Sequence, residues 1–172
     1  MGKMFPYNDI FKSKCRINAI IIATGHGGVS GDQIYPFYLY KNELKKRFNL
    51  RLKKKILFTS VDDMLAQIRK NKCDILFIQT PLRIDKKEEI NFFKEICSYK
   101  DKSRIVYLDS EDGSNMSHFE ILPFVDLYVC KQHLVDLDMY LNEYEGGSII
   151  SDYIAKRFNF DLKGWYFGSK LP

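Results

Sequence analysis

Two side chains, His26 and Asp109, offer the reactive chemistry in this sequence. His26 lies in Thr24-Gly25-His26-Gly27-Gly28, directly behind the apolar run Ile17-Asn18-Ala19-Ile20-Ile21-Ile22-Ala23. Imidazole changes charge near neutral pH, and the glycines around it let the backbone approach a ligand closely. Asp109 closes another apolar run, Arg104-Ile105-Val106-Tyr107-Leu108. A carboxylate facing an imidazole fixes its tautomer and stabilises its protonated form, which makes His26 a candidate general base toward an alcohol. The competing account is structural: His26 hydrogen-bonds within a tight loop, and Asp109 caps the segment that follows. Spacing alone leaves both open.

In open α/β sheets, ligands gather beyond the carboxyl ends of the strands. That rule adds Gly25, Gly27 and Gly28 after the first strand, Thr59 after the second, Gln79 and Thr80 after the third, Ser110 and Glu111 after the fourth, and Lys131 after the fifth as candidate substrate contacts. Other chemistries fit less well. The glycine turn is not GxGxxG, and no GxxxxGK[ST] or GxSxG is present. Asp109, Glu111 and Asp112 can be read as a Mg²⁺ cluster, but an acidic solvated loop explains them better, and no metal or other cofactor is expected. A phosphoacceptor receiver domain shares this fold class, yet needs acidic residues after strand one and an Asp after strand three. Thr24-Gly25 and Gln79-Thr80 stand there instead, which argues against that reading. Cys15, Cys73, Cys97 and Cys130 are far apart with no CxxC pair, which argues against a metal cluster or a disulfide framework and for reduced thiols in the cytosol.

The elements that must position these residues alternate from Arg16 onward. Five strands are expected, at Ile17 to Ala23, Leu50 to Thr59, Asp74 to Gln79, Arg104 to Asp109 and Val125 to Cys130. Helical spacing marks Gln33 to Phe48, the run after Ser60 (Met64, Leu65, Ile68), Glu88 to Tyr99, a short piece near Phe119, Lys131 to Tyr144, and Ser151 to Phe158. Strands separated by helices argue an α/β, Rossmann-like three-layer sandwich with a five-stranded or slightly larger parallel sheet. In the order 3-2-1-4-5, strands one and four are neighbours, and His26 and Asp109 face each other. At 172 residues the chain is sized for one domain: a leader over 1–15, the α/β unit over 16–145, and a helix and linker over 146–172 leading toward a second domain. The net charge of +5 is concentrated from Lys41 to Lys55. This reads as a solvated helix end or as a patch for anionic headgroups or phosphorylated ligands. None of the nucleic-acid-binding signatures is present, so nucleic acid is not expected as a partner.

The stretch Ile20-Ile21-Ile22-Ala23-Thr24-Gly25-His26-Gly27-Gly28, with Ile34-Tyr35-Pro36-Phe37-Tyr38-Leu39 and Glu43-Leu44-Lys45-Lys46-Arg47, resembles the opening of GT-B glycosyltransferases. Val125 to Gln132, then Asp136, Tyr140, Ser151-Asp152-Tyr153 and Arg157-Phe158, look similar to a bacterial group of glycosyltransferases. The resemblance implies the acceptor-side half of a two-domain enzyme, with His26 as base and Asp109 as its support. Its partners would be a nucleotide-sugar donor, held mainly by the other domain, and a glycan or lipid-linked acceptor. Peripheral membrane contact would run through Lys41 to Lys55, on a cytoplasmic protein. A non-catalytic flavodoxin-like module that binds a small anion or another protein is the alternative, with Trp165-Tyr166-Phe167 as an interface.

Overall fold

The computed structural model describes residues 15–23, 29–57, 60–79, 86–98, 102–109, 119–130, 135–142, 144–147 and 149–162. Five parallel strands form its sheet: β1 Ile17–Ala23, β2 Leu50–Leu57, β3 Ile75–Ile78, β4 Arg104–Leu108 and β5 Leu127–Val129. The helices are α1 Val29–Leu39, α2 Lys41–Phe48, α3 Val61–Lys70, α4 Lys86–Cys97 and α5 Ile149–Phe158, with 3-10 turns at Phe119–Phe124, Leu137–Leu141 and Glu145–Gly147. Ala19 to Ala23 are all buried, as expected of a parallel strand covered on both faces.

The fold class is the one expected, an α/β sandwich on a parallel sheet, but the order is β2-β1-β3-β4-β5 rather than 3-2-1-4-5. This is the flavodoxin-like order. Composition explains the placement. Exposed Arg51 and Lys53 make β2 an edge strand, where lysine and arginine discourage pairing with another chain. The apolar Ile75-Leu76-Phe77-Ile78 suits the middle of the sheet. β3 therefore lies between β1 and β4, which removes the adjacency that set His26 opposite Asp109.

The larger core lies on one face. There Ile20, Ile22, Leu76, Ile78, Ile105 and Tyr107 meet Met64, Leu65 and Ile68 of α3, Phe92, Phe93 and Ile96 of α4, and Ile121 and Val125. Phe93 is edge-on to both Phe92 and Tyr107, at centroid distances of 5.4 and 5.6 Å. On the other face Ile21, Ala23, Val106 and Leu108 pack with Ile34 of α1, and Phe37 lies 4.9 Å from Phe77. Carboxylates tie the opposite, amino-terminal end of the sheet: Asp74 accepts from the Asn18 backbone N–H at 2.6 Å, and Asp126 from that of Ile105 at 2.7 Å.

Local chemistry accounts for the remaining boundaries. α3 starts where Ser60 Oγ accepts from the Asp63 N–H at 3.2 Å. Ser60→Ala is expected to cost about 1 kcal/mol, measurable as a lower urea midpoint at unchanged slope. The single helix expected over Gln33 to Phe48 is two helices that meet at Tyr40 (φ −99°, ψ 17°), where no side chain caps α2. α2 ends at Asn49 in the left-handed region (φ 52°), a conformation asparagine tolerates. The helix expected over Lys131 to Tyr144 is, among its described residues, the short turn Leu137–Leu141. Asp136 Oδ1 takes the Asp138 N–H at 3.1 Å, offering the backbone a local bond in place of a helical one. No helix of the described residues is long and apolar enough to cross a membrane.

Candidate functional site

The carboxyl ends of β3 and β4 are joined through α1. Gln79 follows β3, is completely buried, and donates its backbone N–H to Ile22 O at 2.9 Å. Asp109 follows β4, is 2% exposed, and donates its backbone N–H to Val129 O at 2.8 Å. Gln33 of α1 bridges them: Gln79 Nε2 donates to Gln33 Oε1 at 2.9 Å, and Gln33 Nε2 donates to the Asp109 carbonyl at 2.8 Å. On the opposite face the Tyr128 hydroxyl of β5 donates to Asp109 Oδ2. The Tyr128 ring lies 5.2 Å from Tyr107 and against the larger core.

This relay has a direction. The Asp109 carbonyl can only accept, so the Gln33 amide must turn its NH₂ toward it and its oxygen toward Gln79, and Gln79 must then donate. Reversing either amide would set oxygen against oxygen beside the fully buried Gln79. The sequence therefore needs a donor at position 79 and both amide functions at position 33. Gln33 and Gln79 do not titrate and are not nucleophiles. The one ionisable member, Asp109, is held by a phenol.

Burial pushes the Cys130 thiol above its usual pKa, and the Asp109 carboxylate pushes it further the same way. Cys73, beside Ser103, is also raised, chiefly by burial. A raised pKa means less thiolate at pH 8 and slower alkylation. Exposed Cys15 should therefore be labelled by iodoacetamide before Cys73 and Cys130, as read by peptide mass mapping over time.

Of the residues expected from the sequence, Gln79 and Asp109 are brought together. His26, Gly25, Gly27, Gly28, Thr59, Thr80, Ser110, Glu111 and Lys131 lie outside the described residues. Sequence reasoning missed Gln33 and Tyr128. Gln33 had a readable signal, as an amide near the start of the helix that follows β1. Among the described residues there is no group of three or more His, Cys, Asp or Glu able to hold a metal ion.

No protein-family model matches the chain, and no curated protein matches it in sequence. Solved structures that resemble it are response regulators. One holds two RcsB dimers bound to two parallel DNAs (14% identity, 87% of this chain and 86% of that one, TM-score 0.48). Another is a LuxR-family two-component response regulator from Aurantimonas sp. SI85-9A1 (13% identity, 69% and 76%, TM-score 0.47). A third is the isolated receiver domain of RcsB from Salmonella enterica serovar Typhimurium with the phosphomimetic BeF3⁻ (16% identity, 74% and 86%, TM-score 0.45). These matches are not glycosyltransferases, and the sheet order differs from the one on which the His26–Asp109 pairing was built. The GT-B expectation is corrected on these two findings. The nucleotide-sugar donor, the glycan or lipid-linked acceptor and the exclusion of nucleic acid go with it. At the end of β3, where a phosphoacceptor domain needs Asp, this chain holds the buried amide of Gln79.

Proposed function

We propose that this chain is a non-catalytic, cytoplasmic binding module of flavodoxin-like fold that recognises a small polar ligand beyond the carboxyl ends of β1, β3 and β4. One observation carries the reading: the Gln79–Gln33–Asp109 relay closes those strand ends with mutually bonded amides, and its one ionisable side chain, Asp109, is buried and held by the Tyr128 hydroxyl. In this fold class the carboxyl ends are where ligands gather. A floor of mutually satisfied amides stays rigid while the segments after each strand supply the contacts. Gly25, His26, Gly27, Gly28, Thr59, Thr80, Ser110, Glu111 and Lys131 belong to those segments and are assigned ligand contacts, not catalysis. The module is assigned residues 16–145, and residues 146–172 are assigned to a C-terminal helix and linker leading toward a second domain.

Intact mass after incubation with acetyl phosphate and Mg²⁺ tests the non-catalytic part. The expected result is no added phosphoryl group, since an amide stands at position 79 and Asp109 is buried. A stoichiometric phosphoryl adduct stable only under acidic conditions would mark an acyl phosphate and refute the reading.

A further inference from the structure

α5 faces two ways. Its inner side is pinned to the preceding turn: Asp152 Oδ1 accepts from the Glu145 N–H at 3.0 Å, and Ser151 Oγ donates to the Gly146 carbonyl at 3.1 Å. Glu145 Oε1 also accepts from the Leu162 N–H at 3.3 Å, beyond the helix end. Gly146 has φ +70°, and a Cβ there would come within 2.9 Å of Ser151 Cβ, so glycine is required for this close approach. Ala155 is the buried residue of the helix.

The outer side carries large apolar groups in water. Ile150 is 73% exposed, Tyr153 64%, Ile154 39% and Phe158 63%, and Phe160 just beyond the helix is 60% exposed. At helical spacing, positions 150, 153, 154, 157 and 158 share one face, so exposed Arg157 lies inside the apolar stripe. The only acid of α5, Asp152, is on the inner side. Its side chain is 13% exposed and engaged by Lys156 at 2.8 Å. The outer face is thus apolar and cationic with no counter-charge of its own. The three aromatic side chains alone present roughly 350 Å², taking about 150–250 Å² for each whole side chain. With the two isoleucines the apolar area reaches the size of the largest patch on an ordinary monomer, about 300–600 Å².

We propose that this face docks an amphipathic helix of a partner protein whose apolar stripe is flanked by carboxylates. Anchors at i, i+3, i+4 and i+8 are those of helix-against-helix or helix-in-groove recognition, and Arg157 calls for an acid opposite it. A second copy of this chain brings no free acid on the same face. The patch also falls short of the roughly 800 Å² per partner of a standard interface between folded proteins. The surface shares no residue with the Gln79–Gln33–Asp109 relay and does not depend on how that relay is read.

Calorimetric titration of the full chain tests this with two synthetic helical peptides that share a leucine stripe, one flanked by Glu and one by Lys. The Glu peptide should bind at least tenfold more tightly than the Lys peptide. Arg157→Glu should reverse that preference, and the doubly exposed variant Ile150→Gln/Phe158→Gln should lose at least tenfold in affinity while keeping its circular dichroism. Absence of peptide binding, equal binding of both peptides, or binding unchanged in the variants would overturn the proposal. So would sedimentation showing a dimer abolished by Ile150→Gln/Phe158→Gln, which would give the face to a second copy. Co-sedimentation with phosphatidylserine vesicles lost in that variant would give it to a membrane.

Discussion

Gln79→Glu is expected to destabilise the protein by about 3 kcal/mol at pH 8, and most of that loss should disappear as the pH falls toward 5. The substitution keeps the shape of a completely buried side chain but replaces its donating NH₂ with an oxygen. That oxygen would face Gln33 Oε1, now a hydrogen-bond partner at 2.9 Å. Gln33 cannot turn to help, because its NH₂ is committed to the Asp109 carbonyl. An ionised glutamate there is a buried charge with one oxygen set against another, a type of defect that costs about 3–5 kcal/mol. Burial and the oxygen of Gln33 facing it both raise the folded-state pKa of the new carboxyl above its unfolded value of about 4.3. Between those two values the folded state binds the extra proton. The variant therefore gains stability as pH falls through that window, and the protonated acid can again donate to Gln33. Urea unfolding at pH 8 and pH 5 reads this directly. Gln79→Leu, with no charge to bury, should cost about 1–3 kcal/mol for the orphaned acceptor and show no pH dependence beyond that of the unmodified protein.

Phe93→Ala should cost about 3–5 kcal/mol, a large share of the 5–15 kcal/mol that holds an ordinary domain together. Phe93 has no exposed surface and is edge-on to Phe92 and Tyr107 in the core that joins α4 to the sheet. Tyr107 in turn backs the ring of Tyr128, whose hydroxyl holds Asp109. The cavity should therefore be felt at the strand ends as well as in the melting temperature. Amide exchange at Asp109 and Tyr128 should rise more than exchange at β2. Equal loss of protection everywhere would mean that only global stability had changed.

The two substitutions probe parts of the molecule that differ in how far the sequence disclosed them. The strands β1, β3 and β4 are legible because parallel strands covered on both faces must be nearly continuous in apolar residues, as Ala19 to Ala23 and Ile75 to Ile78 are. α3 is legible from Ser60-Val61-Asp62-Asp63, and α4 from Ile90, Phe93 and Ile96. The strand order differs from the expected one, although the sequence carries its clue: the charges of β2 belong on an edge, and the apolar β3 belongs inside. That single difference moved β3 between β1 and β4 and removed the strand adjacency from which His26 and Asp109 were paired. The members of the relay were partly legible, but their connection was not. It couples residues 33, 79 and 109, and only the folded topology makes them neighbours. A glutamine or an aspartate in isolation announces no partner. The outward face of α5 was similarly hidden, because an apolar stripe at helical spacing ordinarily means core.

The central claim is that the strand ends form a preorganised, unreactive platform for a small polar ligand. The most direct test is a fragment screen followed by two-dimensional NMR that reads the side-chain amides of Gln33 and Gln79 and the backbone amide of Asp109. The account predicts saturable shifts concentrated at these three residues for at least one class of polar fragment, with the fragment recovered unchanged. Shifts confined to other surfaces, or conversion of the bound fragment into a product, would contradict it.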